Sequence, residues 1–200
     1  MTDMPFSCAC GNVHGRMQDV GPDKGDFVYC HCTDCQAFAR YLDAEGRVLE
    51  QAEGTALYQT RCARLAFGGG KDRLASLHLT DLPTLRWYAA CCRTPLFNTY
   101  KNGRIPYTTI LLANVSPDDR ALLGPPKGHL HLKDARGYTD GLKSLSMAAL
   151  LRSFFGRLVR DFLSGDRRRN ALFDADTLEP IASPHRLNAA ERTVAYSEIA

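Results

Sequence analysis

Cys30-His31-Cys32-Thr33-Asp34-Cys35 presents three thiols within six residues, and two further packets, Cys8-Ala9-Cys10 and Cys91-Cys92, leave only Cys62 outside a cluster. Cysteines this close let one turn of backbone offer two thiolates to the same ion, whereas C-x-C is too tight for an easy disulfide between its own members. The clustered thiols therefore read as zinc ligands, and the fold as one stapled by metal. The first and third packets have the form of two knuckles that close one tetrahedral site and tie distant strands together. The second packet has no obvious fourth ligand of its own. Three protein ligands plus a free position is the usual arrangement of a catalytic zinc.

Ligand type limits the reaction. Three thiolates on a zinc ion carry a net charge of about −1, so a bound water is acidified less than at a three-histidine site, and hydrolysis is not the expected chemistry. A soft, sulfur-rich, open zinc suits a substrate thiolate as fourth ligand, held for transfer to a carbon electrophile. Zinc–cysteine sites in small domains are also commonly structural, and the spacing alone leaves both readings open.

The chain has 200 residues with 44% hydrophobic content, enough for one domain plus an appendage. The start, Met1-Thr2-Asp3-Met4-Pro5-Phe6, lacks a positive segment followed by an apolar run, and no stretch approaches the roughly 18 apolar residues of a membrane span. A cytoplasmic protein is expected, with thiols kept reduced or metal-bound rather than as a disulfide framework. The 25 basic and 22 acidic residues are interleaved, so the net charge of +3 implies no partner of one sign.

From Gly11 to about His131 short β-branched, aromatic or alternating runs, such as 26–29, 55–59, 74–79, 85–88 and 107–112, are separated by turn signals at 21–23, 68–70 and 102–103. This part is expected to be mainly antiparallel β. A short helix follows the second packet, capped by Thr33 or Asp34, with Phe38, Tyr41 and Leu42 at helical spacing and Cys35 near its N-terminus. After Gly141, Met147, Leu150, Leu151, Phe154, Phe155, Leu158, Val159, Phe162 and Leu163 form an apolar stripe ending near Gly165, with Arg152, Arg157, Arg160 and Asp161 off it. The stretch beyond reads as an irregular tail.

Cys8-Ala9-Cys10-Gly11-Asn12-Val13, then Cys30-His31-Cys32-Thr33-Asp34-Cys35-Gln36-Ala37-Phe38-Ala39-Arg40, then Cys91-Cys92-Arg93-Thr94-Pro95-Leu96-Phe97-Asn98 together resemble the glutathione-dependent formaldehyde-activating enzyme family, which includes centromere protein V. The resemblance covers about 5–135, where 128–132 resembles a late histidine-containing strand, and leaves 141–200 as a helix and tail. It implies an Mss4-like (β-tent) zinc-binding fold with a C-terminal amphipathic helix appended. It further implies a structural zinc on the outer motifs and a second, catalytic zinc on Cys30, Cys32 and Cys35. The implied reaction is that of a carbon–sulfur lyase, joining glutathione and formaldehyde as S-hydroxymethylglutathione. The third motif departs from the family's C-x-x-C: Cys92 falls at its second cysteine, Ala89 at its first and Arg93 at its glycine. Cys91 can replace the missing ligand only if the chain turns sharply, since neighbours in a strand point to opposite faces. His14 and His78 are weaker substitutes.

Cys62 beside a strand reads as a small buried hydrophobe. His31 is expected to face solvent as readily as a ligand, and His129 and His131 to share one surface face of a strand. Gln36 and Arg40 can meet a substrate carboxylate, although an exposed polar helix face is the commoner arrangement. Trp87 and Tyr88 belong to core packing. The long helix is expected to pack on its own domain or to form a homodimer rather than meet a membrane, and Arg167-Arg168-Arg169 is too short a run for nucleic acid. The expected partner is thus a small thiol of the glutathione type, and the alternative function is a non-enzymatic zinc module or scaffold.

Overall fold

The computed structural model describes residues 2–197, with the side chain of Met147, a member of the expected stripe, outside the described set. The chain is mainly β. In order it forms β1 (Met4–Ser7), β2 (His14–Met17), β3 (Asp26–Cys30), α1 (Thr33–Tyr41), α2 (Glu45–Val48), β4 (Thr55–Arg61), β5 (Leu65–Gly69), β6 (Leu74–His78), β7 (Thr84–Ala89), β8 (Thr94–Tyr100), β9 (Tyr107–Leu111), α3 (Pro117–Ala121), β10 (His129–Leu130), α4 (Met147–Ser164), β11 (His185–Arg186) and α5 (Ala189–Tyr196).

Strands β1, β2 and β5 make a three-stranded sheet, and the order β10-β3-β4-β9-β8-β7-β6-β11 makes an eight-stranded one. Pairing is antiparallel except at both edges of the larger sheet, where two-residue strands β10 and β11 add in parallel. These short additions blunt the edges that long strands would leave exposed. β8 carries Pro95, which a sequence reading takes for a turn; a register shift between Trp87 and Tyr88 on β7 accommodates it.

Alternation along the strands divides the core in two. Phe27, Tyr58, Leu85, Trp87 and Ile110 join the small sheet's Met4, Phe6 and Met17 in one cluster. Val28, Leu57, Leu77 and Leu111 face the other way, onto Phe38, Ala37 and Ala39 of α1. Trp87 is fully buried, its indole N–H donating to Thr99 Oγ1 at 2.9 Å, as core packing requires.

The core continues past residue 135. Leu172 and Phe173 belong to the first cluster, with Phe173 edge-on to Trp87 at 5.8 Å, and Leu187 and Ala195 belong to the second. The tail expected to be irregular thus contributes an edge strand and a helix. Asn188 caps α5 reciprocally with Glu191, a local signal that the two prolines nearby obscure.

α4 starts and ends as its periodicity predicts, with Gly165 at φ 72° closing it. Its orientation differs from the expectation. Asp161, expected on the outer polar face, is buried against Arg61, and Arg157 donates to Asp26 Oδ2 at 2.5 Å. Ser153, Arg157 and Asp161 turn toward the sheet beside Leu150, Phe154 and Leu158 because β3 and β4 place the buried charges Asp26 and Arg61 beneath the helix and these need partners, while Arg152 and Arg160 stay exposed.

Candidate metal centres

In the outer centre, the turn after β1 and the turn between β7 and β8 meet, 81 residues apart in the chain. Val13 N–H donates to Cys8 Sγ at 3.2 Å, curling the first knuckle, and Ala9 N–H donates to Thr94 Oγ1 at 3.1 Å, fastening it to the second. Gly70 lets β5 pass beneath: its φ is 72°, and a Cβ there would stand 2.1 Å from the Asn12 carbonyl oxygen. β7 ends at Ala89, and the chain turns through 90–93, with Arg93 at φ 53°. That turn is the sharp reversal Cys91 needs to serve beside Cys92. Cys8, Cys10, Cys91 and Cys92 place their sulfurs within 4.8 Å of one another. His14 and His78 instead bond the carbonyls of Gly11 and Thr84, outside the cluster.

The sulfur separations allow a test of fit. Zinc at about 2.3 Å from four tetrahedral sulfurs requires edges of about 3.8 Å. The pairs Cys8–Cys10, Cys10–Cys91 and Cys91–Cys92 are 3.6, 3.4 and 3.9 Å apart. The donor set is entirely soft, and the centre fits a thiophilic ion of zinc's size. Burial works against a Cys92 thiolate, but the Thr94 hydroxyl and the Cys10 N–H outweigh it and bring the thiol down to about 6.

The central centre lies where β3 ends and α1 begins. Cys30 is the last residue of β3, Cys32 takes the N-cap position in place of Thr33 or Asp34, and Cys35 sits in the first turn of α1. Their sulfurs lie within 4.8 Å of one another, Cys30 and Cys32 at 3.4 Å, and no fourth Cys, His, Asp or Glu completes the group among the described residues. Cys30 and Cys35 are each 6% exposed and Cys32 is half-buried, so Cys32 is the side nearest solvent.

Arg86 is the functional residue that the sequence reading leaves unassigned. It lies buried on β7, its Nη1 3.6 Å from Cys35 Sγ and 3.2 Å from Asn98 Oδ1. Its Nη2 stands 3.8 Å from Asp34 Oδ2, and the guanidinium carbon lies 5.5 Å from the Phe38 ring centroid. A charged residue within Leu85-Arg86-Trp87-Tyr88 is the signal that points to it, since buried arginines are retained where an anion needs them. Hydrogen bonds from Cys30 and Cys32 hold the Cys35 thiol well below its ordinary value, against burial, and Arg86 adds to the effect. Hydrogen bonds to Cys32 and Cys35, with burial, push Cys30 well above its ordinary value. Arg86 thus places a fixed positive charge beside the cluster, on the side of Cys35. Tyr196 from α5 donates to Asp34 Oδ1 at 2.7 Å, so the far end of the chain braces this site.

Three expectations around the centre are corrected. His31 is fully buried: its Nδ1–H donates to the Ala52 carbonyl at 3.0 Å, which leaves Nε2 to accept from His129 Nδ1–H at 2.9 Å in the neutral ring. His131 adopts φ 56° and leaves the strand, so His129 and His131 share no face; His129 instead stacks between Tyr29 and His31. Gln36 is fully buried, donating to the carbonyls of His31 and Asp134 at 2.8 and 2.9 Å, and Arg40 donates to Glu53 at 2.7 Å. Both brace the turn that carries the cysteines. Cys62 is a buried thiol outside either centre, donating to the Tyr107 carbonyl at 3.1 Å.

With both centres described, comparison with known proteins adds one decisive match, over residues 1–182. The chain belongs to DUF6151, a family of unknown function. The match covers both cysteine centres and Arg86 of this DUF6151 chain and stops short of α5. No curated protein matches it. Among solved structures, a crystal structure of a Rhodobacter sphaeroides protein is similar at 15% identity and a TM-score of 0.42, covering 60% of this chain and 97% of that one.

Proposed function

We propose that this chain is a zinc protein of Mss4-like fold whose outer centre is structural and whose central centre activates a small thiol for carbon–sulfur bond chemistry. The observation that carries this reading is the three-cysteine cluster without a fourth protein ligand, beside a buried arginine. The reaction is the reversible addition of a thiol to an aldehyde. The sulfur lone pair forms the C–S bond at the carbonyl carbon, the C=O π pair moves to oxygen, and the proton lost by the thiol ends on that oxygen. Run backwards, the same step is a carbon–sulfur lyase, and neither direction oxidises or reduces a partner.

Bound at the triad, zinc would supply a Lewis acid that lowers the pKa of the incoming thiol and fixes its sulfur. Cys30, Cys32 and Cys35 would hold the ion. Arg86 offsets their accumulated negative charge, so that a fourth, anionic sulfur is not expelled by repulsion. Asp34, fixed by Tyr196, orients the guanidinium. Glutathione and formaldehyde as the particular pair follow from the family resemblance in the three cysteine motifs. A reducing cytoplasm, which keeps all eight cysteines free, suits this chemistry.

Zinc content with X-ray absorption at the zinc edge, with and without glutathione, tests the proposal. Two zincs per chain, one changing its ligand shell with thiol, is the expected result. The burial of Cys30 and Cys35 favours a second reading, a closed structural module; all-sulfur sites indifferent to thiol would establish it instead.

A further inference from the structure

α4 packs on the domain through a mixed face and leaves much of its apolar stripe outside, with Leu150, Phe154 and Leu158 turned inward beside polar residues. Ser153, Arg157 and Asp161, at i, i+4 and i+8, meet the domain through Asp26 and Arg61. The opposite side exposes Leu151, Phe155, Val159, Phe162 and Leu163, with Phe155, Phe162 and Leu163 at 55%, 51% and 84%. At about 100° per residue Leu151, Phe155, Val159 and Phe162 fall within an arc of about 80°, a continuous apolar ridge. The ridge is bordered by cations. Arg152 is exposed at the edge of the ridge and Arg167 lies over the Phe162 ring at 4.8 Å, while Arg160 is exposed farther round the helix, on the flank of a cavity that Asp19 and Asp23 also line. The helix's one acid, Asp161, is buried on the far side.

We propose that α4 seats the protein on an anionic lipid surface, its ridge in the acyl boundary and its arginines among the headgroups. No described helix is long and apolar enough to cross a membrane, so the helix lies in the interface plane. The proposal departs from the sequence expectation of no membrane contact, and charge complementarity is the reason. A two-fold pair of copies would set this same patch against itself, bringing the cations at its edge, Arg152 and Arg167, toward their counterparts with no acid on the ridge to neutralise them. Anionic headgroups supply the missing charge.

Co-sedimentation of the full chain with phosphatidylcholine vesicles containing about one third phosphatidylserine tests this, against phosphatidylcholine alone. Wild type is expected to partition onto the anionic vesicles only. The double variant F155S/F162S should lose at least about tenfold in partitioning. R152Q/R160Q should lose about 25-fold, roughly fivefold per arginine. Because all four side chains are exposed, circular dichroism and metal content should not change. Absence of wild-type binding, or equal binding by the variants, overturns the proposal. So does a lipid-free dimer that F155S/F162S converts to a monomer, which would assign the ridge to a second copy.

Discussion

Replacing Arg86 with methionine tests the electrical logic of the central centre. The substitution keeps an unbranched chain among Phe38, Cys35 and Asn98 and removes one positive charge 3.6 Å from Cys35 Sγ. At that distance, with an effective dielectric constant of about 20, a unit pair interacts by about 4–5 kcal/mol, an upper bound for the loss. Relaxation and entry of water reduce it, and outer-shell substitutions at metal centres commonly cost 10–100-fold, about 1.4–2.8 kcal/mol. The central ion should therefore bind 10–100-fold more weakly in Arg86→Met, while Arg86→Lys, which retains the charge without the fork, should recover part of the loss. Titration of the zinc-loaded protein with a chromogenic chelator resolves the two centres as two equivalents. One equivalent should be released early and the other unchanged, because Cys10 and Cys91 hold the outer ion without contact to Arg86. Unchanged release of both would refute the role assigned to the guanidinium, and equal weakening of both would show a folding defect instead.

Cys32→Ser should remove one equivalent of metal and the thiol response while leaving the β-sheet circular dichroism intact; retention of two equivalents would contradict the central ligand set. Cys91→Ser should remove the other equivalent and lower the melting temperature, because Cys91 completes the staple between the first knuckle and the β7–β8 turn. Asp161→Ala leaves Arg61 buried with only Asp166, 2.7 Å away, and should cost about 3 kcal/mol, or about 6–12 °C of melting temperature in a chain of this size, read by calorimetry. Burial works against ionised Asp26, but Lys127 and Arg157 outweigh it and depress its pKa. Its contribution is therefore full above the unfolded carboxylate value of about 4 and is lost as pH falls through the lower folded value. The melting-temperature gap between wild type and Asp26→Asn should narrow steadily on acidification below about pH 4; a constant gap would contradict the pairing.

Much of the metal chemistry was legible in the residues because it is local. C-x-C and C-x-x-C spacings determine which thiols can share an ion whatever surrounds them, and both clusters assemble as their packets suggest. The helix after Cys32 and the extent of α4 were likewise readable from their period, although Cys32 rather than Thr33 or Asp34 takes the N-cap position of the first. The strands at 4–7, 14–17 and 94–100 were not: two are only four residues long, and the third carries Pro95, so their pairing rather than their composition makes them strands.

Tertiary structure decided what lies across from each local feature. Periodicity established that α4 has an apolar side and a polar side, but Asp26 and Arg61 on distant strands determined that Arg157 and Asp161 turn inward and part of the apolar stripe outward. Arg86 was an odd charge in a strand until β7 was placed against α1, which set its guanidinium 3.6 Å from the Cys35 sulfur. Tyr196 lies more than 160 residues from Asp34 and reaches it only because β11 adds to the sheet edge and delivers α5 onto α1. Spacing of a few residues sets ligand geometry through short, stiff backbone, so sequence alone determined the three thiol packets, while the turn at 90–93 that brings Cys91 to the outer cluster was decided by the fold. Burial and pairing depend on which surfaces meet after the chain closes over long distances, and only the folded structure determined those.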